Sequence, residues 1–124
     1  MHKILIVEDS PTIRSMIIST LDPMGEFAFT EAESGFEALK VLPRDKFDLV
    51  VTDINMPDIN GLELVSFIKK NDAYKNIPLI IVSTEGSDYD IKKGLDLGAN
   101  AYIVKPFNPQ ELQSTVMKLL QVGG

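Results

Sequence analysis

The chain has 124 residues, 44% of them apolar and 24% charged, with no cysteine. That is enough for one ordinary domain with a core of its own, too apolar for disorder, and without a disulfide framework or a thiolate metal site. The net charge of −6 argues against a nucleic-acid partner, which needs a basic face to neutralise phosphates. No apolar run reaches the roughly 18 residues of a membrane span, and the N-terminus lacks a cleavable leader pattern, so a cytoplasmic location is expected.

Five short apolar runs alternate with five amphipathic stretches. The first run, residues 3–8, reads Ile4-Leu5-Ile6-Val7 and stops at two acids, Glu8 and Asp9. Ser10-Pro11 then supplies an N-cap and a proline at the first helical position, with Ile13, Met16, Ile17 and Leu21 on one face. The second run covers residues 26–31. Ser34 and Glu37 have capping-box spacing for a second helix, which Pro43 closes. The third run, residues 47–53, carries Leu49-Val50-Val51-Thr52 into Asp53, and a turn through Asn60-Gly61 starts a third helix striped by Leu62, Val65 and Ile68.

The fourth run, residues 77–83, takes Leu79-Ile80-Ile81-Val82 to Ser83. Ser87 opens a fourth helix with Ile91 and Leu95 inward and Gly98 at its C′ position. The fifth run, residues 101–105, takes Ala101-Tyr102-Ile103-Val104 to Lys105. Asn108-Pro109-Gln110-Glu111 opens a fifth helix with Leu112, Val116, Leu119 and Leu120 inward. Met117 fits the same stripe, and the pairs Lys69-Lys70 and Lys92-Lys93 read as solvated helix faces. Only Val122-Gly123-Gly124 is left over, so a single domain over residues 1–124 with no room for an output domain is expected.

Unbroken apolar runs suit strands covered on both faces, as in parallel sheets. A five-fold strand–helix alternation with right-handed crossovers gives an α/β, doubly wound, five-stranded parallel sheet. Two strand orders fit the pattern, one of them the flavodoxin-like order 2-1-3-4-5. Ligands of such sheets sit beyond the carboxyl ends of the strands, at the switch point between strands 1 and 3. In that order Glu8, Asp9 and Asp53 become neighbours across the crevice, flanked by Ser83 and Lys105.

Three carboxylates at one crevice repel one another, and a divalent cation removes the conflict. All-oxygen ligation points to a hard ion, Mg2+ first and Mn2+ second. Lys105 adds a positive charge and Ser83 a donor, which suits a phosphoryl group. Asp53 can then act as a nucleophile and form an aspartyl-phosphate.

These pieces resemble the receiver domains of bacterial response regulators over essentially the whole chain: Ile4-Leu5-Ile6-Val7-Glu8-Asp9, the Asp53…Met56-Pro57…Asn60-Gly61 segment, Ser83, and Lys105-Pro106-Phe107. The resemblance implies a flavodoxin-like (βα)5 fold in the order 2-1-3-4-5. It implies Asp53 as phosphoacceptor, Glu8, Asp9 and Asp53 as Mg2+ carboxylates, and the Asn55 backbone carbonyl as a further ligand. It also implies Ser83 as switch hydroxyl, Lys105 as the lysine on the phosphoryl group, Tyr102 as the switch aromatic, and a cis peptide before Pro106. The implied function is a CheY-like single-domain signalling switch, not an enzyme beyond its own phosphorylation and dephosphorylation. It would be charged by a histidine kinase or phosphotransfer protein and act as a monomer on a downstream protein, in chemotaxis or a phosphorelay.

The chain departs from the commonest family pattern at Glu8, Ser83 and Thr84, and Asn55 and Glu85 stand where family members tune dephosphorylation. Three other functions compete. A Mg2+ phosphatase with an aspartyl nucleophile needs a general-acid aspartate two residues on, where this chain has Asn55. A flavodoxin-type electron carrier needs a hydroxyl- and glycine-rich loop after strand 1, where this chain has two acids. A receiver that binds partners without phosphorylation would not need the acid, serine and lysine set.

Overall fold

Every one of the five apolar runs forms a strand in the computed structural model, which describes the backbone of residues 1–123 and the side chains of residues 1–120. The strands are β1 (His2–Val7), β2 (Phe27–Ala32), β3 (Leu49–Thr52), β4 (Leu79–Ser83) and β5 (Ala101–Val104). All neighbouring pairs are parallel, in the order β2-β1-β3-β4-β5. The helices are α1 (Pro11–Leu21), α2 (Gly35–Val41), α3 (Gly61–Lys70), α4 (Asp88–Asp96) and α5 (Pro109–Gly123). The expected fold class and strand order are therefore the observed ones. Among the described residues no helix is long and apolar enough to cross a membrane.

Alternation along the strands divides the core between the two faces of the sheet. Leu5, Val7, Val50, Leu79 and Ile81 pack with Leu64, Val65 and Ile68 of α3. Ile4, Ile6, Val51, Ile80 and Val82 pack with Ile17 and Leu21 of α1 and Leu112, Val116 and Leu120 of α5. Strands buried on both faces have no polar register to keep, which is why they read as continuous apolar runs.

The helix starts follow their caps. Ser10, Ser34, Asn60 and Ser87 each accept a backbone N–H from the third helical residue. Asn60 and Glu63 complete a reciprocal capping box, whereas at Ser34 only the serine half is seen. Gly98 follows α4 with φ +117, the left-handed conformation expected of a C′ glycine.

Several expectations need correction. Pairing begins at Leu49 and Leu79 rather than two residues earlier; Pro78 has no N–H to give the ladder. Met16 and Met117 are 49% and 40% exposed, so neither belongs to a core stripe. On α1 the buried positions are Arg14, Ile17 and Leu21. Leu95 is 42% exposed, and the one buried residue of α4 is Gly94. There an added Cβ would meet Ile81 and Tyr102 at 2.8 and 3.0 Å, so α4 lies too close to the sheet at that point for a side chain. Lys69 is half-buried, its Nζ donating to the Lys75 and Ile77 carbonyls and to Asn100 Oδ1. Of the expected tail, Val122 and Gly123 fall within α5, and Gly124 lies outside the described residues.

Candidate functional site

The site gathers where strands end. Glu8 follows β1, Asp53 follows β3, Lys105 follows β5, and Ser83 is the last residue of β4. Backbone bonds continue the sheet one step into these residues: Glu8 N–H donates to the Ala32 carbonyl, Asp53 N–H to Val7, and Lys105 N–H to Ser83. Chemically capable side chains are thereby held on rigid backbone at the mouth of the crevice.

Glu8, Asp9 and Asp53 each place a carboxylate oxygen within 4.8 Å of the others. Glu8 and Asp53 are buried, 1% and 7% exposed, while Asp9 is open to solvent. Lys105 Nζ bridges the buried pair, 2.5 Å from Glu8 Oε1 and 3.2 Å from Asp53 Oδ2. The other oxygens are also held: Asp53 Oδ1 accepts the Ile54 N–H at 2.7 Å and Glu8 Oε2 the Ser10 N–H at 3.2 Å. No buried side-chain nitrogen or oxygen lacks a partner among the described residues.

Burial pushes the Glu8 carboxyl above its ordinary value; the Lys105 hydrogen bond opposes this and the Asp53 charge adds to it. Burial pulls the Lys105 ammonium down, but its bond to Glu8 and the Asp53 charge outweigh that and hold it above its ordinary value. The lysine is thus the site's own counter-charge for two carboxylates that would otherwise face each other unscreened. The donor set fits a hard divalent cation: three carboxylates, no nitrogen or sulfur ligand, and one side open to the waters that Mg2+ retains.

Ser83 is fully buried and its Oγ accepts the Glu85 N–H at 3.1 Å. Tyr102 is half-buried, and its hydroxyl donates to the Glu85 carbonyl. Burial pushes the phenol up, which the neighbouring Ser83 hydroxyl partly offsets. Asn55 Nδ2 donates to Glu85 Oε1 at 3.2 Å, so the positions expected to tune dephosphorylation touch one another over the crevice. The Lys105–Pro106 peptide is cis, as the resemblance implies. Glu8, Asp9, Asp53 and Lys105 therefore form one cluster, while Ser83, Tyr102 and Asn55 each contact Glu85.

Sequence reasoning missed Arg14, 8% exposed, whose Nη1 donates to the Glu8 carbonyl at 2.8 Å and whose Nε pairs with Glu31 at 2.8 Å. The signal was available: Arg14 precedes Ile17 by three residues and Leu21 by seven, the spacing of a buried stripe. It also missed Asp58, whose carboxylate accepts the Gly35 and Phe36 N–H groups and ties the β3–α3 loop to the start of α2.

Fold and site together define a class: doubly wound modules whose chemistry rests on acids, a hydroxyl and a lysine at the switch point. The sequence profile of the response regulator receiver domain matches residues 4–117, and the chain belongs to that family, a family of signalling phosphoacceptor domains rather than of classical enzymes. It is homologous to the CheY chemotaxis regulators. It is 41% identical over 122 residues to the chemotaxis protein CheY homolog of Campylobacter jejuni, covering 98% of this chain and 94% of that protein. It is 40% identical to the chemotaxis protein CheY1 of Helicobacter pylori, covering 95% and 96%. Among solved structures, the chemotaxis response regulator CheY4 of Vibrio cholerae superimposes with a TM-score of 0.87 at 36% identity, covering 96% and 98%.

Proposed function

We propose that residues 1–124 act as one receiver unit in which Asp53 accepts a phosphoryl group from a histidine kinase or phosphotransfer protein. The observation that carries this is the Lys105 bridge between Glu8 and Asp53, 2.5 and 3.2 Å long, beside a buried Ser83. An Asp53 carboxylate oxygen attacks phosphorus, the bond from phosphorus to the donor nitrogen breaks, and the leaving imidazole keeps the electron pair and takes a proton. The Ile54 N–H and the Lys105 ammonium hold both Asp53 oxygens and so aim the carboxylate.

Glu8, Asp9, Asp53 and the Asn55 carbonyl would hold Mg2+, with Mn2+ as a substitute. When bound, the ion neutralises charge building on the phosphoryl oxygens. Lys105 and Ser83 then engage the phosphoryl oxygens through charge-assisted hydrogen bonds, worth roughly 1.5–3 kcal/mol each. Once Ser83 moves to the phosphoryl group, the surface around Tyr102 changes, and that change biases a pre-existing equilibrium read by a downstream protein. The chemotaxis relatives favour a motility-control target for a monomer working in the cytoplasm. Hydrolysis of the aspartyl-phosphate within the domain ends the signal, with Asn55, Thr84 and Glu85 flanking the path of the attacking water.

Incubation with acetyl phosphate, followed by intact mass, tests the reading. The expected result is a Mg2+-dependent, base-labile phosphoryl adduct that is absent from Asp53→Asn. A folded, Mg2+-binding protein that gains no adduct even from a phosphorylated kinase would overturn it.

A further inference from the structure

Arg14 is the one buried charge in the described molecule that the phosphoryl chemistry leaves unused. It is the fourth residue of α1 and shares the buried stripe with Ile17 and Leu21. A guanidinium in such a position is costly unless its donors are engaged. Nη1 donates to the Glu8 backbone carbonyl at 2.8 Å, Nε to Glu31 Oε1 at 2.8 Å, and Nη2 lies 3.8 Å from Glu33 Oε1. One planar group thus joins α1, the end of β1, β2 and the loop after it.

We infer that Arg14 is a positioning residue for the acid pair Glu8 and Asp9, fixing the backbone from which both carboxylates reach the crevice. This rests on the metal-assisted reading above. The contrast with Lys105 gives the reason. Lys105 holds the carboxylates of Glu8 and Asp53, so a cation entering the cluster competes with it for the same oxygens. Arg14 grips Glu8 only at its carbonyl, so its hold and its positive charge persist whatever the Glu8 carboxylate binds. An ion pair to half-exposed Glu31 would by itself contribute little. The buried bond to the Glu8 carbonyl is what ties the arginine to the site.

The test is a Mg2+ titration of the whole chain followed by backbone amide resonances, for wild type, Arg14→Met and Arg14→Lys, with thermal melts in parallel. Groups that orient ligands from behind cost about 10-fold or more in metal affinity when removed. Arg14→Met is expected to weaken Mg2+ by that factor, with metal-free shifts concentrated at Glu8, Asp9 and Ser10. Arg14→Lys keeps the charge but lacks the fork that serves two acceptors at once, so it falls between wild type and Arg14→Met. A lowered melting temperature with wild-type Mg2+ affinity in Arg14→Met would make Arg14 merely structural and overturn the inference. If Arg14→Met does not fold, Arg14→Lys decides: weaker Mg2+ supports the inference and unchanged Mg2+ overturns it. Folded wild type that fails to bind Mg2+ would instead strike at the metal reading on which the inference rests.

Discussion

Lys105 decides the balance of charge among the site's own side chains. Removing one partner of a buried ion pair typically costs about 3–5 kcal/mol, because the other charge is left without compensation. Lys105→Met is therefore expected to lose about 3 kcal/mol, at the low end because Glu8 can take up a proton. Added Mg2+ should restore part of the loss by replacing the missing positive charge; denaturant melts with and without Mg2+ measure both effects. The lysine's raised pKa means its contribution is fully present below 10.5 and lost as pH rises through its higher folded value.

Glu8 acts in the same direction in a lower pH window: raised above 4.5 in the fold, it makes stability fall as pH rises from that value through the folded one. A ligating carboxylate must be ionised, so Mg2+ affinity should weaken as pH falls through the raised Glu8 value, with proton release on binding in that window. Calorimetric titrations in neutral and mildly acidic buffers check this, and an affinity independent of pH down to 4.5 would contradict it. At this scale the strand-end residues were legible because each interrupts an apolar run. Lys69 was not, because a long cation can bury its stem and still satisfy its head; Arg14 was legible only through its spacing to Ile17 and Leu21, which its charge masks.

Among the elements, the start of α3 bears most directly on Asp53. Gly61 N–H donates to the Ile54 carbonyl at 2.8 Å, and a Cβ at Gly61 would fall 1.9 Å from the Asp53 carbonyl oxygen and 2.7 Å from Ile54 Cα. Backbone meets backbone there, and only glycine allows it. Gly61→Ala is expected to cost at least the roughly 1–3 kcal/mol typical of overpacking, and to weaken Mg2+ binding in the fraction that remains folded. Unaltered stability with unaltered Mg2+ affinity would show that α3 does not set the Asp53 loop. The caps made the helix starts readable, since Ser10, Ser34, Asn60 and Ser87 all act as their positions suggest. The buried faces of α1 and α4 were read only in part. Ile17 and Leu21 are inward as expected, but Met16 and Leu95 stand in solvent, and Arg14 and Gly94 hold inward positions.

For the molecule as a whole, topology was legible because strands buried on both faces admit few arrangements. The choice between strand orders, however, came from the resemblance and not from periodicity. That order makes β1 and β3 adjacent, and adjacency puts Glu8, Asp9 and Asp53 in one crevice, so the metal should be felt by the entire fold. Binding to the folded state alone adds RT ln(1 + [Mg2+]/Kd), about 2.7 kcal/mol at 100 times Kd. The melting temperature should therefore climb with Mg2+ but not with NaCl of equal ionic strength, and Asp9→Asn should flatten the response. An equal rise with both salts would mean simple screening of the −6 charge.

The most direct measurement of the central claim locates the phosphoryl group. After phosphorylation in Mg2+, borohydride reduces an acyl phosphate to the alcohol, and tandem mass spectrometry of the peptides reads where. The account predicts homoserine at position 53 alone, lost when Mg2+ is chelated before phosphorylation. A reduced residue at Glu8 or Asp9, or a phosphoryl group that resists borohydride on a hydroxyl such as Ser83, would contradict it.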